Sequence, residues 1–195
     1  LKGFTCSYLY GCGDPKLGYQ LEPIGRRRCY KRVVQPGLAW PDAQKACAKD
    51  YPAKGSGLAT ITSASEQNFV TSLVHPLAVD AYIGCEASPA PLGGERLWTW
   101  TGEGARPVTF THWAKGEPND YSKGGIHGED KCALYGNDGR WNDYSVASKK
   151  TGAYVCSFQW SCLEPGYRLE PASQQRCYKP VVGAKSWVGA QEACR

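Results

Sequence analysis

The chain has no methionine, only three histidines, and no Asn-x-Ser/Thr acceptor. It also has no uninterrupted apolar run approaching the 18 residues that read as a membrane-spanning helix. These absences exclude N-linked glycosylation and a membrane span within these residues. Leu1 to Tyr10 is not a charged stretch followed by an apolar run and a cleavage site, so a secretory leader is not read here. Neither a zinc HExxH pattern nor a nucleophile elbow occurs, and no enzyme is expected. The net charge of +5 can attract anionic glycans or membrane surfaces, and Arg26, Arg27, Arg28, Lys31 and Arg32 form the densest basic run. That run lacks a reading motif, which removes nucleic acid as a partner, and it is read as a solvated strip.

What the chain does have is ten cysteines, twelve tyrosines, seven tryptophans, 23 glycines and 13 prolines in 195 residues. Reducing cytosol would keep so many thiols apart, so disulfides and a secreted or extracellular location are expected. The length suits one domain with a real core plus remnants.

The ends repeat each other. Phe4-Thr5-Cys6-Ser7-Tyr8 matches Tyr154-Val155-Cys156-Ser157-Phe158, and Gly18-Tyr19-Gln20-Leu21-Glu22-Pro23 returns as Gly166-Tyr167-Arg168-Leu169-Glu170-Pro171. Arg28-Cys29-Tyr30-Lys31 returns as Arg176-Cys177-Tyr178-Lys179, and Ala43 to Cys47 returns as Ala190 to Cys194. The expectation is a cut from a tandem array: the tail of one module over 1–11, a complete module over 12–160, and the beginning of a truncated module over 161–195.

Within the central module, Ala39 to Ala48 reads as a helix with Pro41 and Asp42 in its first turn. Ser63-Ala64-Ser65-Glu66 is a capping box opening a second helix through Phe69, Val70, Leu73 and Val74. Ala81 to Gly84, Leu97 to Trp100, Lys131 to Tyr135 and Ala153 to Phe158 have strand composition, and Asn137-Asp138-Gly139 is a turn signal. The result is an α+β domain with small antiparallel sheets and a long aperiodic stretch from Gly102 to Gly128, the kind that is usually functional or disordered.

In and after that stretch lie Glu117-Pro118-Asn119-Asp120, Glu129-Asp130 and Trp141-Asn142-Asp143. These are oxygen donors, the ligand type calcium takes in sets of six to eight. Glu117, Asn119, Glu129 or Asp130, Asn142 and Asp143 supply most of such a shell.

Glu-Pro-Asn followed by Trp-Asn-Asp resembles the sugar-binding signature of C-type lectins. Tyr82-Ile83-Gly84-Cys85, Trp98-Thr99-Trp100 and Pro107 to Trp113 resemble that family's core segments, so the similarity runs over about Cys12 to Trp160. The resemblance implies calcium as cofactor and a sugar whose two adjacent hydroxyls complete the calcium shell. Glu117, Asn119, Glu129, Asn142 and Asp143 would contact the sugar, and these with Asp130 would hold the metal. Glu-Pro-Asn implies mannose, fucose or N-acetylglucosamine-type glycans on glycoproteins or cell surfaces, and a cis Glu117–Pro118 peptide. The family's layout also implies Cys12–Cys29, Cys47–Cys156 and Cys162–Cys177 disulfides. Its usual partner for Cys132 is missing, which leaves Cys85 as the spare thiol to bond it. Cys6 and Cys194 then remain, pairing within a chain or, between chains, giving head-to-tail self-association. Lys131 separates the acidic pair from Cys132, leaving open whether Glu129 or Asp130 is the ligand. A candidate second calcium site comprises Asp120, Glu129 and Asp130. Membrane contact is expected only through glycans or an anchor outside this chain. The rival reading is a structural or protein-binding extracellular module on the same fold, associated with matrix, filament or mineral.

Overall fold

The computed structural model describes residues 4–9, 12, 15–24, 28–52, 55–88, 96–102, 104–120, 128–159, 168–169 and 176–181, with backbone alone at 4–9, 15, 168–169 and 176–181. Helix α1 runs Trp40–Asp50, and Pro41 and Asp42 occupy its first turn as expected. Its buried residues Trp40, Ala43 and Cys47 recur at helical spacing and present one face to the core. Helix α2 runs Ala64–Val74 from Ser63, whose hydroxyl accepts from Glu66 N–H at 3.3 Å. The Glu66 carboxylate reaches back one residue further than a standard box, accepting from the Thr62 N–H at 2.6 Å and hydroxyl at 2.8 Å.

The main sheet contains β2 (Gln20–Leu21), β3 (Arg28–Val34), β4 (Gly57–Leu58), β5 (Ala81–Ala87), β6 (Trp98–Trp100), β7 (Arg106–Pro107), β8 (Glu129–Leu134), β9 (Trp141–Ser145) and β10 (Ala153–Gln159). β10 lies between β3, antiparallel, and β5, parallel. β8 pairs with both β5 and β9. Alternate residues of the central strands face opposite ways. Tyr82, Ala133 and Tyr154 pack toward α1 with Trp40, Ala43 and Cys47. Ile83, Leu134 and Val155 pack toward α2 with Val70 and Val74. Both faces are covered, which suits the apolar stretches Ala81 to Cys85 and Ala153 to Cys156.

Three expected disulfides are present: Cys12–Cys29, Cys47–Cys156 and Cys85–Cys132. The bonds expected of Cys6, Cys162, Cys177 and Cys194 lie outside the described residues and side chains.

At the chain ends, β1 (Phe4–Leu9), β11 (Arg168–Leu169) and β12 (Arg176–Val181) form a separate three-stranded sheet. Its register copies that of the main sheet. Cys6 lies opposite Lys179 as Cys156 lies opposite Lys31, and Leu169 lies opposite Cys177 as Leu21 lies opposite Cys29.

The basic run is not merely a solvated strip. Because it sits on a strand, its side chains diverge: Arg28 is buried on Glu66, Lys31 pairs with Asp50, and exposed Arg32 donates to the Leu73 carbonyl. Arg26 and Arg27 lie outside the described residues.

Candidate functional site

Trp141 organises the region. It is fully buried, meets Trp100, Phe110 and Trp113 edge to face at 5.6, 6.1 and 5.5 Å, and donates its indole N–H to Gln67 Oε1 at 2.7 Å. Its backbone N–H goes to the His112 carbonyl, and its own carbonyl accepts from Ala114. The strand carrying Asn142 and Asp143 is thereby fixed to the loop that carries Glu117. A turn at Asn137 to Gly139 leads into this strand. Gly139 has φ +74°, and any side chain there would collide with Thr71, so only glycine fits.

The Glu117–Pro118 peptide is cis, as the resemblance implied, and Asp120 adopts a left-handed φ of +52°. Between them the chain folds back on Asp143. The buried Asp143 carboxylate accepts from Asn119 N–H at 3.2 Å through Oδ1 and from Asp120 N–H at 2.8 Å through Oδ2. Glu117 Oε2 is buried with no hydrogen-bond partner among the described residues. Burial, a hydrogen bond with Asp143 and the charges of Asp143 and Glu129 push the Glu117 carboxyl up to about 7, against a smaller lowering from the Asn119 backbone. The site thus crowds negative charge and hard oxygen atoms together, conditions that fit a hard divalent cation. Among the described residues no group of three His, Cys, Asp or Glu is arranged to hold a metal. A cation here therefore needs the amide oxygens of Asn119 and Asn142 as well.

The acidic pair belongs to β8, where the ladder pairs Glu129 with Ser145 and Lys131 with Tyr144. A bulge at Asp130 takes up the extra residue. Asp130 turns to Lys131 at 3.0 Å, whereas the charge of Glu129 is felt at Glu117. The structure therefore brings together Glu117, Asn119 and Asp143 within reach of the Glu129 charge, sets Asn142 next to Asp143 on β9, and holds Asp120 and Asp130 in ion pairs. Asp120 pairs with Arg96 at 2.9 Å. Sequence reasoning missed Arg96 altogether, and the only sign of Lys131's role was its intrusion before Cys132. A cleft of about 470 Å³ is lined by Arg96, Trp98, Trp113, Pro118, Asp120 and Asp143.

The Glu117 shift has a measurable sign. Below about pH 7 the carboxyl carries a proton that any incoming cation must displace. Calcium affinity, followed by titration from pH 8 to pH 5, is expected to be level above pH 7 and to fall about tenfold per unit below it. Stability of the cation-free protein runs the other way through this group. A raised folded value favours the fold below the ordinary carboxyl range, and that contribution is lost as pH rises through about 7. Affinity that is flat down to pH 5 would mean Glu117 does not meet the ion.

The family described as the Lectin C-type domain matches residues 37–158. Among curated proteins, C-type lectin domain family 10 member A of Rattus norvegicus is 34% identical over 109 residues, which is 56% of this chain and 32% of that protein. The chain thus spans about a third of the length of the first curated relatives it matches. Among solved structures, the cow C-type carbohydrate-recognition domain of CD23, determined in the presence of GlcNAc2Man3 oligosaccharide, is 25% identical with a TM-score of 0.53. That match covers 70% of this chain and 91% of that one. A calcium-independent type II antifreeze protein is 23% identical with a TM-score of 0.56, over 78% of this chain and 98% of that one, and shares the fold alone.

Proposed function

The chain belongs to the C-type lectin domain family, and on that premise we propose that it binds mannose-type glycans through calcium held at Glu117, Asn119, Glu129, Asn142 and Asp143. The observation that carries the reading is the closing of the 117–120 turn on the buried Asp143, which accepts from the Asn119 and Asp120 N–H groups, beside a Glu117 Oε2 that has no hydrogen-bond partner among the described residues. Bound calcium would supply the positive charge that draws two neighbouring sugar hydroxyls into the site. The chain's own groups would then orient those hydroxyls. Glu117 and Glu129 can each accept a hydroxyl hydrogen, and the amides of Asn119 and Asn142 can each donate to a hydroxyl oxygen. Glu-Pro-Asn favours the equatorial hydroxyl pair of mannose, fucose or N-acetylglucosamine over galactose. The disulfides support an oxidising, secreted or extracellular setting, with glycoproteins or cell surfaces as partners. No catalytic role is assigned to the carboxylates.

The test is calorimetric titration of methyl mannoside and methyl galactoside, each with calcium and with chelator, against the wild type and Asn142→Asp. The substitution keeps an oxygen for the metal but removes the amide that donates to the sugar. Mannoside binding that needs calcium is expected, with at least about a tenfold loss in the variant, about 1.4 kcal/mol. If neither sugar binds although calcium does and the fold is intact, the matrix or protein-binding reading takes its place.

A further inference from the structure

Arg96, just before β6, sends its guanidinium into the long loop. One nitrogen lies 2.9 Å from Asp120 Oδ2, and the other donates to the Glu129 carbonyl at 2.7 Å. Asp120 spends its other oxygen on the N–H groups of Gly128 at 3.0 Å and Glu129 at 3.1 Å, while its own N–H goes to Asp143. One guanidinium therefore links the segment before β6, the loop after cis-Pro118 and the start of β8. The side chains of Arg96 and Asp120 are each only 19% exposed, so water competes weakly for the pair. A second cation acts beside it. Lys131, buried over the Trp40 ring, lies 2.9 Å from Glu86 and 3.0 Å from Asp130. Burial alone would push its ammonium down, yet the hydrogen bonds and charges of Glu86 and Asp130 outweigh that and raise it, so it stays charged near neutrality.

Asp120, Glu129 and Asp130 are the residues that sequence reading grouped as a second calcium site. A metal there would have to displace one or both of these side-chain cations from their carboxylates. We propose that Arg96 is a positioning residue of the sugar site, a built-in cation that holds the turn ending at Asp120 against the start of β8 where a second calcium ion would otherwise be needed, so that the domain takes one calcium. Because a guanidinium is charged at every working pH, this tether is in place before any calcium binds. It organises the loop before the ligand arrives and so lowers the ordering cost of binding.

The affinity readout rests on the calcium-dependent reading above, so a second readout is independent of it. Wild type, Arg96→Gln and Arg96→Lys are compared by calcium titration with stoichiometry and by hydrogen exchange at the Gly128 and Glu129 amides in calcium-free buffer. Near-UV circular dichroism checks the fold. Glutamine keeps a donor and much of the volume but loses the charge. The expected results are one calcium per wild-type chain, a loss of about 10–100-fold in affinity for Arg96→Gln, and partial recovery with Arg96→Lys. Exchange at Gly128 and Glu129 should rise in Arg96→Gln while β10 stays protected. Two calcium ions per wild-type chain, or unchanged affinity and exchange in Arg96→Gln, would overturn the proposal. If the wild type binds no calcium, the lectin reading fails, and exchange alone decides: faster exchange at these amides sustains the tether, and unchanged exchange ends it.

Discussion

Arg28→Ala is expected to remove about 3–5 kcal/mol of folding stability, because it strands the buried Glu66 carboxylate. Arg28 is 4% exposed and Glu66 7%, and their closest atoms lie 2.6 Å apart. Glu66 also accepts from Thr62 and caps the start of α2, so the pair ties β3 to the first turn of that helix. Without Arg28 the carboxylate must take up a proton, admit water or leave its place, and each outcome loosens the cap. For a chain of this size the loss corresponds to a melting point lower by about 6–20 °C, measured by circular dichroism. An apolar double replacement, Arg28→Met with Glu66→Leu, should recover much of it, since no charge is then left alone. A melting point unchanged in Arg28→Ala would mean that the pair is open to water.

Asp143→Asn is expected to cut calcium affinity about 100-fold or more, equivalent to about 2.7 kcal/mol. Mannoside binding should become unmeasurable with it. Both Asp143 oxygens accept backbone N–H groups, from Asn119 and Asp120. An asparagine turns one of these contacts into donor against donor inside a fully buried site, and the loop after cis-Pro118 loses its anchor. The same change removes the negative charge that helps hold the Glu117 proton, so any residual calcium affinity should persist to lower pH than in the wild type. Calcium titration at pH 7.5 and pH 6 measures both effects. Wild-type affinity in a folded variant would exclude Asp143 from the site.

Much of this was legible because it was local. The capping box announced α2 from Ser63 and Glu66, and the composition of Ala81 to Gly84 and Ala153 to Phe158 announced strands. Glu117-Pro118-Asn119 and Trp141-Asn142-Asp143 resembled a known signature, which implied the cis peptide. What escaped was set by distant partners or by register. Nothing near Arg28 says that Glu66 will meet it, and a run of basic residues hides the fact that a strand turns successive side chains to opposite sides. The choice between Glu129 and Asp130 depended on where β8 bulges, a property of the β8–β9 ladder rather than of either residue. Arg96 and Asp120, 24 positions apart in sequence, gave no sign of pairing.

The placing of β3 beside β10 governs how the domain would carry tension. Gln159 lies opposite Arg28, so the entering and leaving ends of the central fold sit side by side in an antiparallel ladder. Pulling on both ends would peel that ladder one rung at a time, the weak direction for bonds that run across the strands. The peel would go no further than Cys156, three positions in from Gln159, where the bond to Cys47 passes the load to α1. At the other end, Cys29, one position into β3, is tied to Cys12. Tension applied through the two chain ends would therefore fray the edge of this domain while the strands bearing Glu129, Asn142 and Asp143 stay out of the line of force.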